Sequence, residues 1–79
     1  NKFYLTRVFK EQLGMTVQNY LTALRITHAK QLLRFSDYSI DKIGQQCGMN
    51  DANYFARMFR KIEGMSPGEF RKMWVQGKD

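Results

Sequence analysis

Apolar positions recur at helical spacing along the chain, and glycines punctuate them. Tyr54, Phe55, Met58, Phe59 and Ile62 fall on one helical face, and Gly64 follows where a left-handed C-terminal cap belongs. Tyr4, Leu5, Val8, Phe9 and Gly14 repeat that arrangement. Each glycine is followed by a helix-entry signature. Ser66 can cap, Pro67 suits the first helical position and Glu69 closes a capping box, while Thr16 is the matching cap upstream. Met65 with Phe70, and Met15 with Tyr20, stand where apolar pairs staple an entering chain. These methionines and aromatics are expected in a core rather than around a ligand.

Between the two segments, Val17 to about Phe35 contains no Gly or Pro and is expected to form one long helix. Leu21, Leu24, His28 and Leu32 make one apolar stripe on it. Ile26, Ala29 and Leu33 make a second, roughly 120° away at ~100° per residue. A helix that is apolar on two sides is expected to pack against two bodies and so to bridge them. At ~1.5 Å per residue it spans roughly 28 Å, close to the ~34 Å of one DNA turn. His28 lies within the first stripe and is expected to be a satisfied core histidine without chemistry of its own.

Sliding the chain fifty positions against itself shows why the two glycine-bounded segments look alike. Tyr4 aligns with Tyr54, Arg7 with Arg57, Phe9 with Phe59, Gly14 with Gly64 and Met15 with Met65. Leu5 faces Phe55, Val8 faces Met58, Lys10 faces Arg60, Thr16 faces Ser66 and Tyr20 faces Phe70. Ungapped matching of this density marks an internal repeat. Upstream of the second copy, Ser39 can cap a short helix whose Ile40, Ile43 and Cys47 face inward. Gly44 would let two helices cross closely, Gly48 would supply a tight turn, Met49 would plug the core, and Asn50 or Asp51 would cap the next helix. That succession is the order of a helix-turn-helix.

Charge adds a partner class to this picture. Thirteen Lys and Arg against seven Asp and Glu give a net +6 on 79 residues, an attraction for polyanions. No acid occurs between Gln12 and Ser36, or between Ala52 and Ile62 where Arg57, Arg60 and Lys61 stand. In the second copy, the helix face opposite the stripe of Tyr54, Phe55, Met58, Phe59 and Ile62 carries Asn53, Ala56, Arg57 and Arg60, with Ala52 at its edge. In a major groove Arg pairs with guanine, Asn pairs with adenine, and a small Ala admits close approach or touches a thymine methyl. In the first copy the same face shows Lys2, Phe3, Thr6, Arg7 and Lys10. Thr6 and Arg7 are candidate base readers. Phe3 either meets a thymine methyl or packs against residues outside this chain. Lys2, Lys10, Lys30, Arg60 and Lys61 are candidate phosphate contacts, or plain solvated charge.

Taken together, Ala29-Lys30-Gln31-Leu32-Leu33, Ile40, Ile43, Gly48, Tyr54-Phe55, Arg57, Phe59, Gly64-Met65-Ser66-Pro67 and Phe70-Arg71 resemble the arabinose-regulator (AraC/XylS) family of bacterial transcription regulators over essentially the whole chain. The resemblance implies an all-α domain of two helix-turn-helix subdomains joined by a long linker helix. Residues 1–16 would hold the recognition helix of a partial first unit lacking its N-terminal helices, 17–35 the linker helix, and 36–79 the second unit with a C-terminal helix. It implies sequence-specific double-stranded DNA binding with recognition helices in successive major grooves, in a transcriptional activator. By position it assigns base contact to Phe3, Thr6, Arg7, Ala52, Asn53, Ala56 and Arg57. It further implies contact with RNA polymerase, and an effector-binding or dimerisation domain absent from this chain.

Other classes fit less well. A protein-interaction module offering its basic face to an acidic partner is the main alternative. An enzyme is not expected, because no Ser, His and Asp set, phosphate-binding glycine loop or paired carboxylates occur at working spacing. The single Cys47 has no Cys or His at metal spacing, so neither structural metal nor cofactor is expected. No apolar run approaches the roughly 18 residues of a membrane span, and no signal-peptide pattern is evident, so a cytoplasmic setting is expected.

Overall fold

A computed structural model describes residues 2–76, without the side chains of Lys2, Phe3, Leu5, Phe9 and Gln76. The described residues form five helices and no strand: α1 (Lys2–Leu13), α2 (Val17–Phe35), α3 (Ile40–Gln46), α4 (Ala52–Glu63) and α5 (Pro67–Gln76). The fold is all-α, as expected.

The fifty-residue repeat is realised to the residue. Both α1 and α4 are 12 residues long and begin fifty positions apart, and α2 and α5 begin at the matching Val17 and Pro67. Each first helix ends on a glycine in the left-handed region, Gly14 at φ 72° and Gly64 at φ 83°. The Gly14 N–H donates to the Lys10 carbonyl and the Gly64 N–H to the Arg60 carbonyl, both at 2.8 Å, so each pair closes the same terminal turn. Thr16 Oγ1 then accepts from the Asn19 N–H at 3.1 Å, and Ser66 Oγ accepts from the Glu69 N–H at 3.1 Å. Only the second copy completes a capping box, the Ser66 N–H donating back to Glu69 Oε1 at 2.9 Å. Asn19 occupies the equivalent position in the first copy.

The core lies where α2, α3, α4 and α5 meet. Ile26, Ala29 and Leu33 of α2 are buried with Ile43, Cys47, Met49, Phe55, Phe59 and Phe70, and Leu32, Ile40, Met58 and Met65 pack against them. Edge-on ring contacts run through it: Phe55 to Phe59 at 6.0 Å between centroids, then Phe59 to Phe70 at 5.6 Å. Such pairs prefer this geometry because the positive ring edge meets the negative face. Ile26, Ala29 and Leu33 are therefore the covered stripe of α2.

The other stripe differs from expectation. Leu21 and Leu24 are 40% and 48% exposed, and His28 is exposed rather than a core histidine, while Leu32 alone of that set packs against the core. Leu21, Leu24 and His28 point away from α3, α4 and α5, which cover only the Ile26 side. Residues expected in the core also stand out from it: Tyr4, Tyr54, Met15, Tyr20 and Ile62 are exposed. The Leu5 and Phe9 core assignments lie outside the described side chains.

Candidate nucleic-acid interface

The helix that would read DNA is positioned by its neighbours on three sides. Ser39 caps α3 through the Lys42 N–H at 3.1 Å, which fixes where that helix begins. Gly44 lets α4 cross it closely: a Cβ there would stand 3.0 Å from both the Met49 carbonyl oxygen and Phe55 Cδ2. The chain then turns through Gly48 at φ 86°, where an L side chain is strained. Met49 is buried, and its N–H donates to the Gly44 carbonyl at 2.7 Å. Of the two candidate caps it is Asp51 that acts, its Oδ1 accepting from the Asn53 and Tyr54 N–H groups at 2.9 and 3.1 Å. The carboxylate at the start of the reading helix is thus occupied by the helix's own first turn.

With Phe55 and Phe59 buried beneath it, α4 turns its opposite face outward. Ala52, Asn53, Arg57, Arg60 and Lys61 are exposed and Ala56 is half-buried. At ~100° per residue, Asn53, Arg57 and Arg60 fall within an arc of roughly 60°. The face therefore presents an amide and two guanidiniums side by side, with no acidic side chain between them. On α1 the equivalent face exposes Thr6, Arg7 and Lys10. The contacts expected of Lys2 and Phe3 lie outside the described side chains.

Lys30 is not presented with these groups. Its ammonium is 3.3 Å from Glu63 Oε1 and 6.0 Å from the centroid of the Phe70 ring, joining α2 to the end of α4 and the start of α5. Lys30 thus ties α2 to α4, and the phosphate contact expected of it would require the ammonium to leave Glu63. Sequence reasoning passed over Arg71, whose Nε donates to the Leu33 carbonyl and whose Nη2 donates to the Ser36 carbonyl, both at 3.1 Å. These carbonyls close the end of α2, so Arg71 holds α5 and α2 together. The only signal for it was its place in the Phe70-Arg71 step.

Against this geometry, a family model described as a helix-turn-helix domain matches residues 1–73. The chain belongs to the AraC-type helix-turn-helix family. It is 39% identical over 72 residues to the transcriptional activator RhaR of Yersinia pseudotuberculosis, covering 91% of this chain and 25% of that protein. It is 46% identical over 68 residues to RhaR of Klebsiella pneumoniae, covering 86% of this chain and 24% of that one. The chain thus spans about a quarter of the length of these relatives.

Among solved structures it is similar to an AraC-type transcriptional regulator from Chromobacterium violaceum, at a TM-score of 0.91 and 33% identity, covering 96% of this chain and 68% of that one. It is also similar to the DNA-binding domain of AdpA, a global transcriptional factor, in complex with target DNA. There the TM-score is 0.87 and the identity 28%, covering 94% of this chain and 67% of that one. The AraC-type family is one of DNA-binding transcription regulators rather than enzymes. No helix among the described residues is long and apolar enough to cross a membrane.

Proposed function

We propose that this chain is the DNA-reading part of a bacterial transcription activator and that it selects a double-stranded sequence by placing α4 and α1 in successive major grooves. The observation that carries this reading is the exposed Asn53, Arg57 and Arg60 face of α4, free of acid and backed by the buried Phe55 and Phe59. The repeat supports it, because α1 sets Arg7 at the position of Arg57. In the proposed assignment Asn53, Ala56, Arg57 and Ala52 read bases from α4, and Thr6, Arg7 and Phe3 from α1. Arg60, Lys61, Lys10 and Lys2 meet phosphates, which supply most of the affinity without specifying sequence.

The RhaR relatives are activators by name, which supports assigning activation here through contact with RNA polymerase. Effector binding and dimerisation are assigned to a companion domain of the full regulator, acting in the cytoplasm.

Selecting bound duplexes from a random pool tests the reading directly. The preferred site is expected to be asymmetric, with two elements about one turn apart, because a tandem repeat lacks the two-fold symmetry of a dimer. Arg57→Ala should lose roughly 1–3 kcal/mol of discrimination at one base pair, whereas Arg60→Ala should weaken all sequences and lower the salt slope by about 1. Equal affinity for selected and random duplexes at every salt concentration would instead favour a protein-interaction module with an acidic partner.

A further inference from the structure

Two tyrosines expected in the core are exposed instead, and they are the same residue of the repeat. Tyr4 and Tyr54 lie fifty positions apart in the first turn of α1 and of α4, and they are 58% and 36% exposed. The neighbouring apolar positions are free to change between copies: Leu5 faces Phe55 and Val8 faces Met58. Where an aromatic position is buried in the second copy, it carries no hydroxyl. Phe59 and Phe70 are buried, and Phe70 has dropped the hydroxyl of its counterpart Tyr20. The hydroxyl is kept in both copies only where the ring emerges from the surface, at Tyr4 and Tyr54.

Their place on the helix says what those hydroxyls meet. Tyr54 follows Asn53 and so stands ~100° around α4 from it, on the side of Lys61, which is seven residues on and returns to nearly the same angle. A helix lying in the major groove turns its centre to base edges and its flanks to the phosphates of the groove walls. A phenol on such a flank is a hydroxyl donor, and tyrosine is among the side chains that donate to phosphate oxygens.

We infer that Tyr4 and Tyr54 are a duplicated pair of phosphate-contacting hydroxyls, each seating its reading helix against the DNA backbone. The inference rests on the duplex-binding function proposed above. It assigns the tyrosines affinity and orientation, with no part in choosing the sequence. Because the phenol is neutral, its hydrogen bond displaces no condensed counterion, and this separates it from every lysine and arginine on the surface.

The test replaces Tyr54 and Tyr4 by Phe, singly and together, and titrates a selected and a random duplex at several salt concentrations, with Lys61→Ala alongside. Loss of one hydrogen bond from a neutral phenol to an anionic phosphate oxygen is expected to weaken binding about ten- to a hundredfold per site. The factor should be equal on both duplexes, with the slope of affinity against salt unchanged and the thermal midpoint preserved. Lys61→Ala should lower that slope. If Tyr54→Phe and Tyr4→Phe bind as the wild type does while Tyr54→Ala weakens binding, the rings act by packing and the inference falls. It falls equally if the loss is confined to the selected duplex, or if the salt slope drops as for Lys61→Ala. Failure of the wild type to prefer the selected duplex counts against sequence reading, and the phosphate contact is then still measured on random DNA. Absence of any duplex binding overturns both.

Discussion

Arg71 reaches from α5 to the last turn of α2, where its Nε donates to the Leu33 carbonyl at 3.1 Å. A second donor, Nη2, serves the Ser36 carbonyl at the C-cap of the same helix. The positive charge also complements the negative end of the α2 dipole. Arg71→Leu should cost about 1.5–3 kcal/mol, the range for hydrogen bonds to a charged group. Arg71→Lys should recover only part of it, because a point-like ammonium cannot match the planar fork that spans both carbonyls. Urea unfolding followed by the fluorescence of Trp74, the chain's single tryptophan and a member of α5, checks this. An unchanged midpoint in Arg71→Leu would show that the two hydrogen bonds contribute nothing.

Gly44 and Gly64 separate two reasons for a glycine. At Gly44 a Cβ would lie 3.0 Å from the Met49 carbonyl oxygen and 3.0 Å from the buried Phe55 ring of α4, so these neighbours must give by a few tenths of an ångström to admit it. At Gly64 nothing lies within 4 Å of the added carbon, and only the φ of +83° opposes it. Gly44→Ala should destabilise by about 1–3 kcal/mol through overpacking and weaken DNA binding, since the displaced ring belongs to the reading helix. Gly64→Ala should cost roughly 1–2 kcal/mol through backbone strain alone and leave affinity unchanged once the protein is folded. Denaturation midpoints and duplex titrations on both variants distinguish the outcomes, and equal effects on affinity would refute the distinction.

What the sequence made legible here is local and periodic. The glycine stops at Gly14 and Gly64, the caps at Thr16, Ser39 and Ser66, and the turn at Gly48 follow from short-range chemistry, and the repeat pairs Gly14 with Gly64 and Thr16 with Ser66. What it left open is which apolar faces find cover. A helical wheel marks Leu21, Leu24 and His28 as a stripe as readily as Ile26, Ala29 and Leu33. Only the placement of α3, α4 and α5 shows that the second is buried and the first is not. Tyr54 failed similarly, since it lies at the edge of an arc whose centre is Phe55 and Phe59. Long-range polar ties are still less visible: Arg71 to Leu33 spans 38 residues and has no periodic signature. The pairing of Lys30 with Glu63 could not be told from two solvated charges.

That pairing makes Lys30 behave unlike the other lysines and arginines near the reading face. Lys30→Ala removes one ion pair whose partners are 35% and 21% exposed, and should cost less than about 1 kcal/mol after solvent screening. The salt slope of DNA binding should stay at the wild-type value, because a cation committed to Glu63 releases no counterion from phosphate. Arg60→Ala should lower the slope by about 1 in the same assay. An equal drop for Lys30→Ala would mean that Lys30 leaves Glu63 for the backbone when DNA binds.

The capping box at the start of α5 gives one helix a dependence on pH that its counterpart lacks. Glu69 is held below the ordinary glutamate range, chiefly by the backbone N–H of Ser66 donating to its carboxylate, then by the Ser66 side chain and the nearby charge of Arg60. A carboxylate whose folded value lies below its unfolded value binds fewer protons in the native state. Stability therefore rises with pH between the two values. The contribution is fully present above the unfolded value and is lost as pH falls through the folded one. At the equivalent position of α2 stands Asn19, which does not titrate and whose N–H still bonds to Thr16. Glu69→Gln should keep a hydrogen-bond acceptor for Ser66, lower the thermal midpoint at neutral pH, and flatten its decline through the acidic range. Hydrogen exchange should show the first turn of α5 opening on acidification in the wild type, with the first turn of α2 unaffected by Glu69→Gln. Parallel midpoint curves for wild type and Glu69→Gln would remove the carboxylate from the acid response.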